Sequence, residues 1–528
     1  MDRHGTEQYF VVGEGLLGGN IDGATTEAAE AAAADVTAPP FRFSRLGPKG
    51  TGHQLSESNL TKMARAMTRT GAGASGVPAG FTYLGQFIDH DLTMDKTDVM
   101  LGDRVSPAIL LQARSPSLDL DSLYGAGPQD RASAKFYEAD GVHLKVGSSV
   151  GDGDLPDMPG FDLPRRGTGS SARAKRRALI PDPRNDENLA VAQTHLAMIR
   201  FHNRVVDTLD AATPPVERFA AAQEVVTKHY QWMIRTDFLP RICARATLND
   251  VFRNGRTVFE ADASPTDVPT MPIEFSIAAY RLGHSMVRGA YNWNRIFDNG
   301  GGSLDLLFEL SATSGTLGGE LRLPTTWVAD FRRLYDFGEA GRQNLTVPPA
   351  KFNRAKRIDT RLAAALRNLP KGSFGGPAVD RDDPRANLAF RNLMRARMVR
   401  LATGQQMANA MAAAGLDVTR LSRAEIRDGK NGADLSRMPT AQRKALLRDT
   451  PLWFYILREA ELHRGRLHGV GARIVAETFH RAMEGSEWSI VRDTAFRPTL
   501  GPDSSTFRMV DLLLFAFEGN KALLAPLG

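Results

Sequence analysis

Cysteine is nearly missing from this chain: Cys243 is the only one in 528 residues. No intramolecular disulfide can form, and a cysteine-ligated zinc finger and a C-x-x-C-H covalent attachment are excluded. Long apolar runs are also missing, so no segment reads as a membrane span. The first residues, MDRHGTEQYFVVGEG, lack the basic start and apolar core of a secretory signal. The expectation is a cytoplasmic protein, with export by a route without a cleaved signal left open. Charge of one sign is not in excess either. The 66 basic and 60 acidic residues leave a net charge of +6, too small at this length to point to a nucleic-acid partner.

What is present reads as an ordinary soluble protein, 42% hydrophobic and 24% charged. Residues 1–40 read as a flexible, Gly- and Ala-rich arm. Gly13, Gly15 and Gly18 fit G-x-G-x-x-G, but no second strand ending in an acidic residue follows, so the dinucleotide-binding reading fails on context. Ser56 or Ser58 can cap a helix over LSESNLTKMARAM. Residues 145–172, rich in Gly, Asp, Ser and Pro, read as a long surface loop ending in the basic cluster Arg173, Lys175, Arg176 and Arg177. Beyond Arg184 apolar residues recur at three- and four-residue steps, as in Leu189, Ala192, Leu196, Ile199 and Val206. Helices are expected over 217–242, 273–292, 361–366, 387–413 and 453–483. Strand-like alternation is scarce and no internal repeat occurs. The chain therefore reads as mainly α, with one large helical domain over residues 41–528, long irregular loops and little β.

Chemistry concentrates in FTYLGQFIDHDLTMD, residues 81–95. On a helix, Gln86 and His90 stand one turn apart on one face, and Asp91 points roughly 100° away from His90. Ser115, Ser117, Asp119 and Asp121 alternate in SPSLDLDSLYG, the kind of oxygen-donor spacing that collects calcium. His195 and His202 lie two turns apart without an H-E-x-x-H motif, and read as buried, hydrogen-bonded histidines rather than metal ligands. His284 sits beside Gly283, where a small neighbour lets a flat cofactor approach the backbone, with Arg281 on nearly the same face.

The motifs GQFIDHDLT, SPSLDLDSLYG, DPRNDEN, HNR, YRLGH and RNLMRAR follow one another between residues 81 and 397. In type and order they resemble the animal-type haem peroxidases of the peroxidase–cyclooxygenase superfamily, and the C-terminal PLWFYILREAELHRGRLHGVGARIVAE resembles bacterial members. The resemblance implies a haem peroxidase fold, haem b as cofactor, calcium, and hydrogen peroxide with small electron donors as substrates. It makes His90 the distal histidine, Gln86 the distal glutamine and Arg184 the distal arginine. It makes His284 the proximal iron ligand and Asn392 its hydrogen-bond partner, and puts Arg281 and Arg395 near the haem. Asp91, Ser115, Ser117, Asp119 and Asp121 match the calcium site. Asp89 and Glu187 match two carboxylates that form ester bonds to haem in mammalian relatives; two hydrogen-bonding carboxylates are the alternative. The implied activity is peroxide reduction coupled, through an iron–oxo centre, to oxidation of halide, thiocyanate or small organic donors.

The chain departs from the family where it carries Asn188, the position of a sulfonium-forming methionine in one mammalian branch. That linkage cannot form, which favours bromide, iodide, thiocyanate or phenolic donors over chloride. The rival within the superfamily is a fatty-acid dioxygenase, whose radical tyrosine stands three residues before the proximal histidine. Here that position is Arg281, with Tyr280 one residue earlier. A haem-binding protein without turnover is the reading from another class.

Overall fold

Helix α1, Glu57–Met67, starts where a cap is available: the Ser56 side chain accepts from the Asn59 N–H at 3.3 Å. The computed structural model describes residues 9–11, 15–17, 41–51, 55–69, 73–95, 97, 99–370, 379–436 and 438–528. Of the expected arm, only Tyr9–Val11 and Gly15–Leu17, paired antiparallel, fall within these residues. Gly13, Gly18 and the alanine-rich stretch after them lie outside.

The strand Ala74–Pro78 pairs antiparallel with Arg354–Lys356 and delivers the chain directly into helix α2, Gly80–Leu92. No side chain caps α2; instead the Gly80 N–H donates to the Leu334 carbonyl at 2.9 Å. Gly80 is required by contact, since a Cβ there would lie 2.3 Å from the Tyr335 ring. One side of α2 buries Leu84, Phe87, Ile88 and Leu92 and packs on helix α3, Leu189–Thr208. Asn188 caps α3, its side chain accepting from the Val191 N–H at 3.0 Å. Helix α4, Pro215–Met233, returns along α3 and runs through a wide turn, Ile234–Phe238, into Leu239–Ile242. Among the described residues the strands form five two-stranded pairs, and one large apolar core joins the helices. This is the mainly α architecture the periodicity implies.

Several expected helices are broken. Residues 273–292 do not form one helix. A wide turn over Glu274–Ala278 passes into a tight turn over Ala279–Leu282, then a short helix, Gly283–Met286, that ends at Val287. Ala278, at φ −127° and ψ −69°, marks the dislocation. The buried Glu274 accepts the Leu46 N–H at 2.9 Å, which ties the irregular turn to the preceding chain. The consequence matters for function. A regular helix would send consecutive residues to all sides, whereas here Tyr280 to His284 all border one cavity. The stretch 387–413 splits into α5, Leu388–Met398, and Gly404–Ala413, with left-handed Arg400 between them. The stretch 453–483 splits into α6, Leu452–Leu462, and α7, Gly469–Glu484, at left-handed Arg464 and Gly465. The 361–366 stretch contributes only the turn Ala364–Arg367. Within 145–172, Gly147–Ser148 pairs with Pro159–Asp162, and no residue of this segment borders the central cavity.

His202 is wholly buried on α3. Its Nε2–H donates to the Val142 carbonyl at 2.9 Å and its Nδ1 accepts from the Tyr124 hydroxyl at 3.1 Å, so the neutral ring satisfies both bonds. Burial pushes its pKa down to about 4 from 6.5, against the Val142 carbonyl. The unfolded chain takes up this proton near pH 6.5 and the folded chain only near 4. The stabilisation is therefore complete above pH 6.5 and is lost as pH falls to 4, a change of roughly 3 kcal/mol. Relative to His202→Gln, which does not titrate there, the wild type should lose about this amount between pH 7 and 4, read from urea midpoints.

Candidate active site

The central cavity, ≈ 1330 Å³ including the part open to solvent, has two histidines in its walls. His90, Gln86 and Asp89 come from α2; Arg184 and Glu187 come from the turn before α3. Arg281 and His284 come from the irregular 274–286 segment, and Arg395 from α5. Most of the remaining wall is apolar, including Phe81, Phe238, Ile277, Leu304, Phe308 and Leu388.

On the α2 side the polar groups form a connected set. Arg184 donates from Nε and Nη2 to the two oxygens of Asp182, at 3.1 and 2.7 Å. The same Nη2 donates to the backbone carbonyls of His90, at 3.0 Å, and Thr93, at 2.6 Å. A buried guanidinium thus locks the C-terminal turn of α2 to the turn before α3. Asp182 also takes Arg114 Nη2 at 2.7 Å. Burial alone would raise the Asp182 pKa, but Arg184 and Arg114 outweigh it and hold the carboxyl well below the usual range. His90 Nδ1 meets Asn185 Oδ1 at 2.9 Å, and its Nε2 lies 3.5 Å from Glu187 Oε1. Glu187 Oε1 also accepts from Gln86 Nε2, and Gln86 Oε1 accepts from Asn188 Nδ2 at 3.0 Å. Asn188 is therefore both helix cap and support for Gln86. Asp89 Oδ1 accepts from the Thr93 hydroxyl at 3.3 Å.

At the 274–286 segment, His284 Nδ1 meets Asn392 Nδ2 at 2.7 Å, and Asn392 Oδ1 is buried with no hydrogen-bond partner. With the amide turned to offer Oδ1, Nδ1 becomes the donor and Nε2 carries the free lone pair, the form that ligates a metal. Burial, reinforced by Arg281, pushes the His284 pKa down to about 3, so the ring is neutral. A Cβ on the adjacent Gly283 would meet nothing within 4 Å. Burial also disfavours the charges of Arg281 and Arg395, the latter pushed down to about 9. A flat, anionic cofactor with a metal for the imidazole fits this wall: a neutral ligand, open space beside it, apolar surroundings and buried cations.

Asp91 points away from the cavity. It is fully buried, and its Oδ1 accepts from the Ser122 N–H and hydroxyl, both at 3.3 Å. Its Oδ2 has no hydrogen-bond partner, and burial pushes the carboxyl up to about 7. Three of the residues expected to join it make other contacts. Asp119 Oδ1 accepts from Ser486 Oγ at 2.5 Å and the Glu487 N–H at 3.1 Å. Ser115 Oγ accepts from the Ser117 N–H at 3.2 Å, and Ser117 Oγ donates to the Gly485 carbonyl at 3.0 Å. Asp121 opens the short helix Asp121–Tyr124. Among the described residues no three His, Cys, Asp or Glu side chains stand together as metal ligands. The segment is folded against the end of α7.

Sequence reasoning passed over Asp182, Arg114, Asn185 and the part His195 plays. His195 Nδ1 accepts from Asn185 Nδ2 at 3.0 Å, which extends the His90 contact inward. Asp182 stands before Pro183 and its side chain accepts the Arg184 N–H at 3.0 Å, an Asp-Pro turn signal that was readable.

The chain has a peroxidase-like, mainly α fold. It superposes on peroxidase A of Dictyostelium discoideum with a TM-score of 0.54 at 15% identity, over 92% of this chain and 93% of that one. It superposes on a fatty acid alpha-dioxygenase of Arabidopsis thaliana with a TM-score of 0.51 at 13% identity, over 92% and 81%. Residues 96–306 match the model of the animal haem peroxidase family. That span holds Arg184, Glu187 and His284, while His90 and Asn392 lie outside it and are brought in by the geometry. Mouse thyroid peroxidase is 29% identical over 176 residues, 32% of this chain and 19% of that protein. A peroxidase-like protein of Margaritifera margaritifera is 30% identical over 115 residues, 21% and 14%. The aligned part thus spans less than a fifth of the length of these relatives.

Breaking the central ion pair is a direct test of how the site is held. Asp182→Ala leaves two guanidinium groups buried without their carboxylate and should lower stability by about 3–5 kcal/mol. Urea midpoints of the variant measure it.

Proposed function

We propose that the chain is a haem peroxidase that reduces hydrogen peroxide and oxidises small donors, with halides other than chloride, thiocyanate and phenols as the favoured classes. The observation that carries this reading is one cavity lined by His90, the Arg184 guanidinium and the neutral, Asn392-supported His284. His284 would hold the iron of haem b, with Arg281 and Arg395 beside it. The haem supplies an open iron site for peroxide and the capacity to take up its oxidising equivalents.

The residues of this chain handle protons and charge. His90 Nε2 takes the proton from the inner peroxide oxygen and returns it to the outer one, which leaves as water. A positioned imidazole contributes roughly 10²–10⁴-fold to such a transfer. Negative charge grows on the departing oxygen as the O–O bond stretches, and the pre-aligned Arg184 cation stabilises it without reorganising. Burial alone would weaken that cation; Asp182 more than restores it. Gln86, held by Asn188 and Glu187, adds an amide to the same wall.

A second reading has one observation in its favour. The Tyr280 hydroxyl borders the cavity, is buried without a hydrogen-bond partner, and its ring stacks on Phe275 at 4.7 Å. Under a dioxygenase reading this phenol would be the radical site. Oxygen uptake with linoleate and no added peroxide would establish that reading and overturn peroxidase action.

Two finer proposals rest on the same reading. Asp91, with its buried free oxygen, anchors a calcium ion that the 115–121 segment closes around; chelation should then lower the melting temperature, and an unchanged value removes calcium from the account. Denaturing chromatography decides the ester bonds: haem that stays with the polypeptide establishes them at Asp89 and Glu187, and haem that leaves makes these hydrogen-bonding carboxylates.

For the central proposal, His90→Ala should slow the reaction with peroxide by roughly 10²–10⁴-fold while the Soret band persists. His284→Ala should weaken haem retention. A wild-type Soret band that ignores peroxide would overturn the proposal.

A further inference from the structure

Behind His90 lies a group that the peroxide chemistry does not itself require. Asn185 and His195 are both wholly buried, and the Asn185 amide stands between the two imidazoles. Its Oδ1 meets His90 Nδ1 at 2.9 Å and its Nδ2 meets His195 Nδ1 at 3.0 Å. An amide oxygen only accepts and an amide nitrogen only donates. In this arrangement His90 must carry its proton on Nδ1, and His195 must present a bare Nδ1. The proton of a neutral His195 is then on Nε2, which is buried without a partner.

The direction of the relay has a functional consequence. If His195 carried its proton on Nδ1, the Asn185 amide would have to turn. Its Nδ2–H would face His90 Nδ1, and the His90 proton would move to Nε2. That nitrogen borders the cavity, 3.5 Å from Glu187 Oε1, and it needs a free lone pair to act as a base.

We propose that His195 is a positioning residue which, through the Asn185 amide, holds His90 as its Nδ1–H tautomer and so keeps Nε2 open to the substrate. This rests on the peroxidase reading of the cavity. Three features of the structure hold the members of the relay in place and keep His195 neutral. Burial pushes His195 down to about 3, so it does not acquire a second proton at ordinary pH. Its ring packs edge-on against Phe87 of α2, with centroids 5.6 Å apart. Asn185 lies in the turn that Asp182 and Arg184 bind to α2. When His90 gains a proton from peroxide, the Asn185 oxygen is already aligned with its Nδ1–H and supports the imidazolium. The third member of a hydrolase triad acts in the same way on its histidine, by fixing tautomer and orientation.

The test has a readout independent of turnover. The full-length chain is labelled with 15N-histidine, without added haem, and the His90 signals are assigned by their loss in His90→Gln. The proposal expects a protonated Nδ1 and an unprotonated Nε2 on His90 in the wild type; an Nε2–H tautomer there overturns it, with no variant needed. In His195→Leu the preference should be lost, and in the haem-loaded protein the peroxide reaction should slow by about 10-fold or more, within the span of positioned acid–base help. His195→Gln, whose side-chain oxygen can accept the same amide hydrogen, should recover the tautomer and most of the rate. A His195→Leu protein with unchanged tautomer and rate overturns the proposal. A wild type that binds haem yet ignores peroxide defeats the peroxidase reading instead, and the tautomer then decides the relay by itself.

Discussion

The contact on which the site depends is Arg184 with Asp182. One buried guanidinium serves a carboxylate, the His90 carbonyl in the last turn of α2 and the Thr93 carbonyl just beyond it. The last carbonyls of a helix have no partner within it, and here a cation meets them where the helix dipole is negative. The interaction does three things. It ends α2 at a fixed place, holds the 183–186 turn against it, and aims the guanidinium at the cavity. His90, Asn185 and Glu187 inherit their positions from that junction.

Buried charge around this junction is paired. Asp182 is held ionised by two arginines. Asp186 is partnered by Arg165, which also binds Asp162, so the end of the 145–172 segment is fastened to the outer side of the same turn. The histidines are treated in the opposite way. His195, His202 and His284 are all driven to the neutral form by burial. Under the proposed reading, neutral rings at His195 and His284 suit a site that moves one proton without gathering others.

Much of this was legible in the chain. The helical period places Gln86 with His90 and turns Asp91 away, and the structure puts the first two at the cavity and the third beside Ser122. The caps Ser56 and Asn188 are residues of the expected type. The broken 273–292 segment was not legible. Glu274 to Tyr280 contains neither Gly nor Pro, and the dislocation at Ala278 comes from tertiary anchoring such as Glu274 with Leu46, which no local pattern encodes. The splits at Arg400 and Arg464 were hidden for a related reason: arginine favours helix, and only packing and loop closure force it into the left-handed region. The surroundings of Ser115, Ser117, Asp119 and Asp121 were not legible either: Leu120 turns left-handed and Asp119 accepts from Ser486.

Two histidines with an asparagine each give the cavity a matched pair, and under the proposed reading both have the same requirement. A base needs its cavity-facing nitrogen bare until substrate arrives, and a metal ligand needs the same nitrogen bare permanently. An asparagine oxygen meets both needs, because it accepts from Nδ1–H without adding charge. A carboxylate in its place would fix the tautomer too, but would add negative charge and make the ring more basic. For His284 that would strengthen electron donation to a bound metal. For His90 it would retain the proton that must be returned. The neutral amide keeps orientation separate from basicity, so the work of stabilising charge falls to Arg184, the one group on this wall that Asp182 and the α2 carbonyls hold cationic and in place.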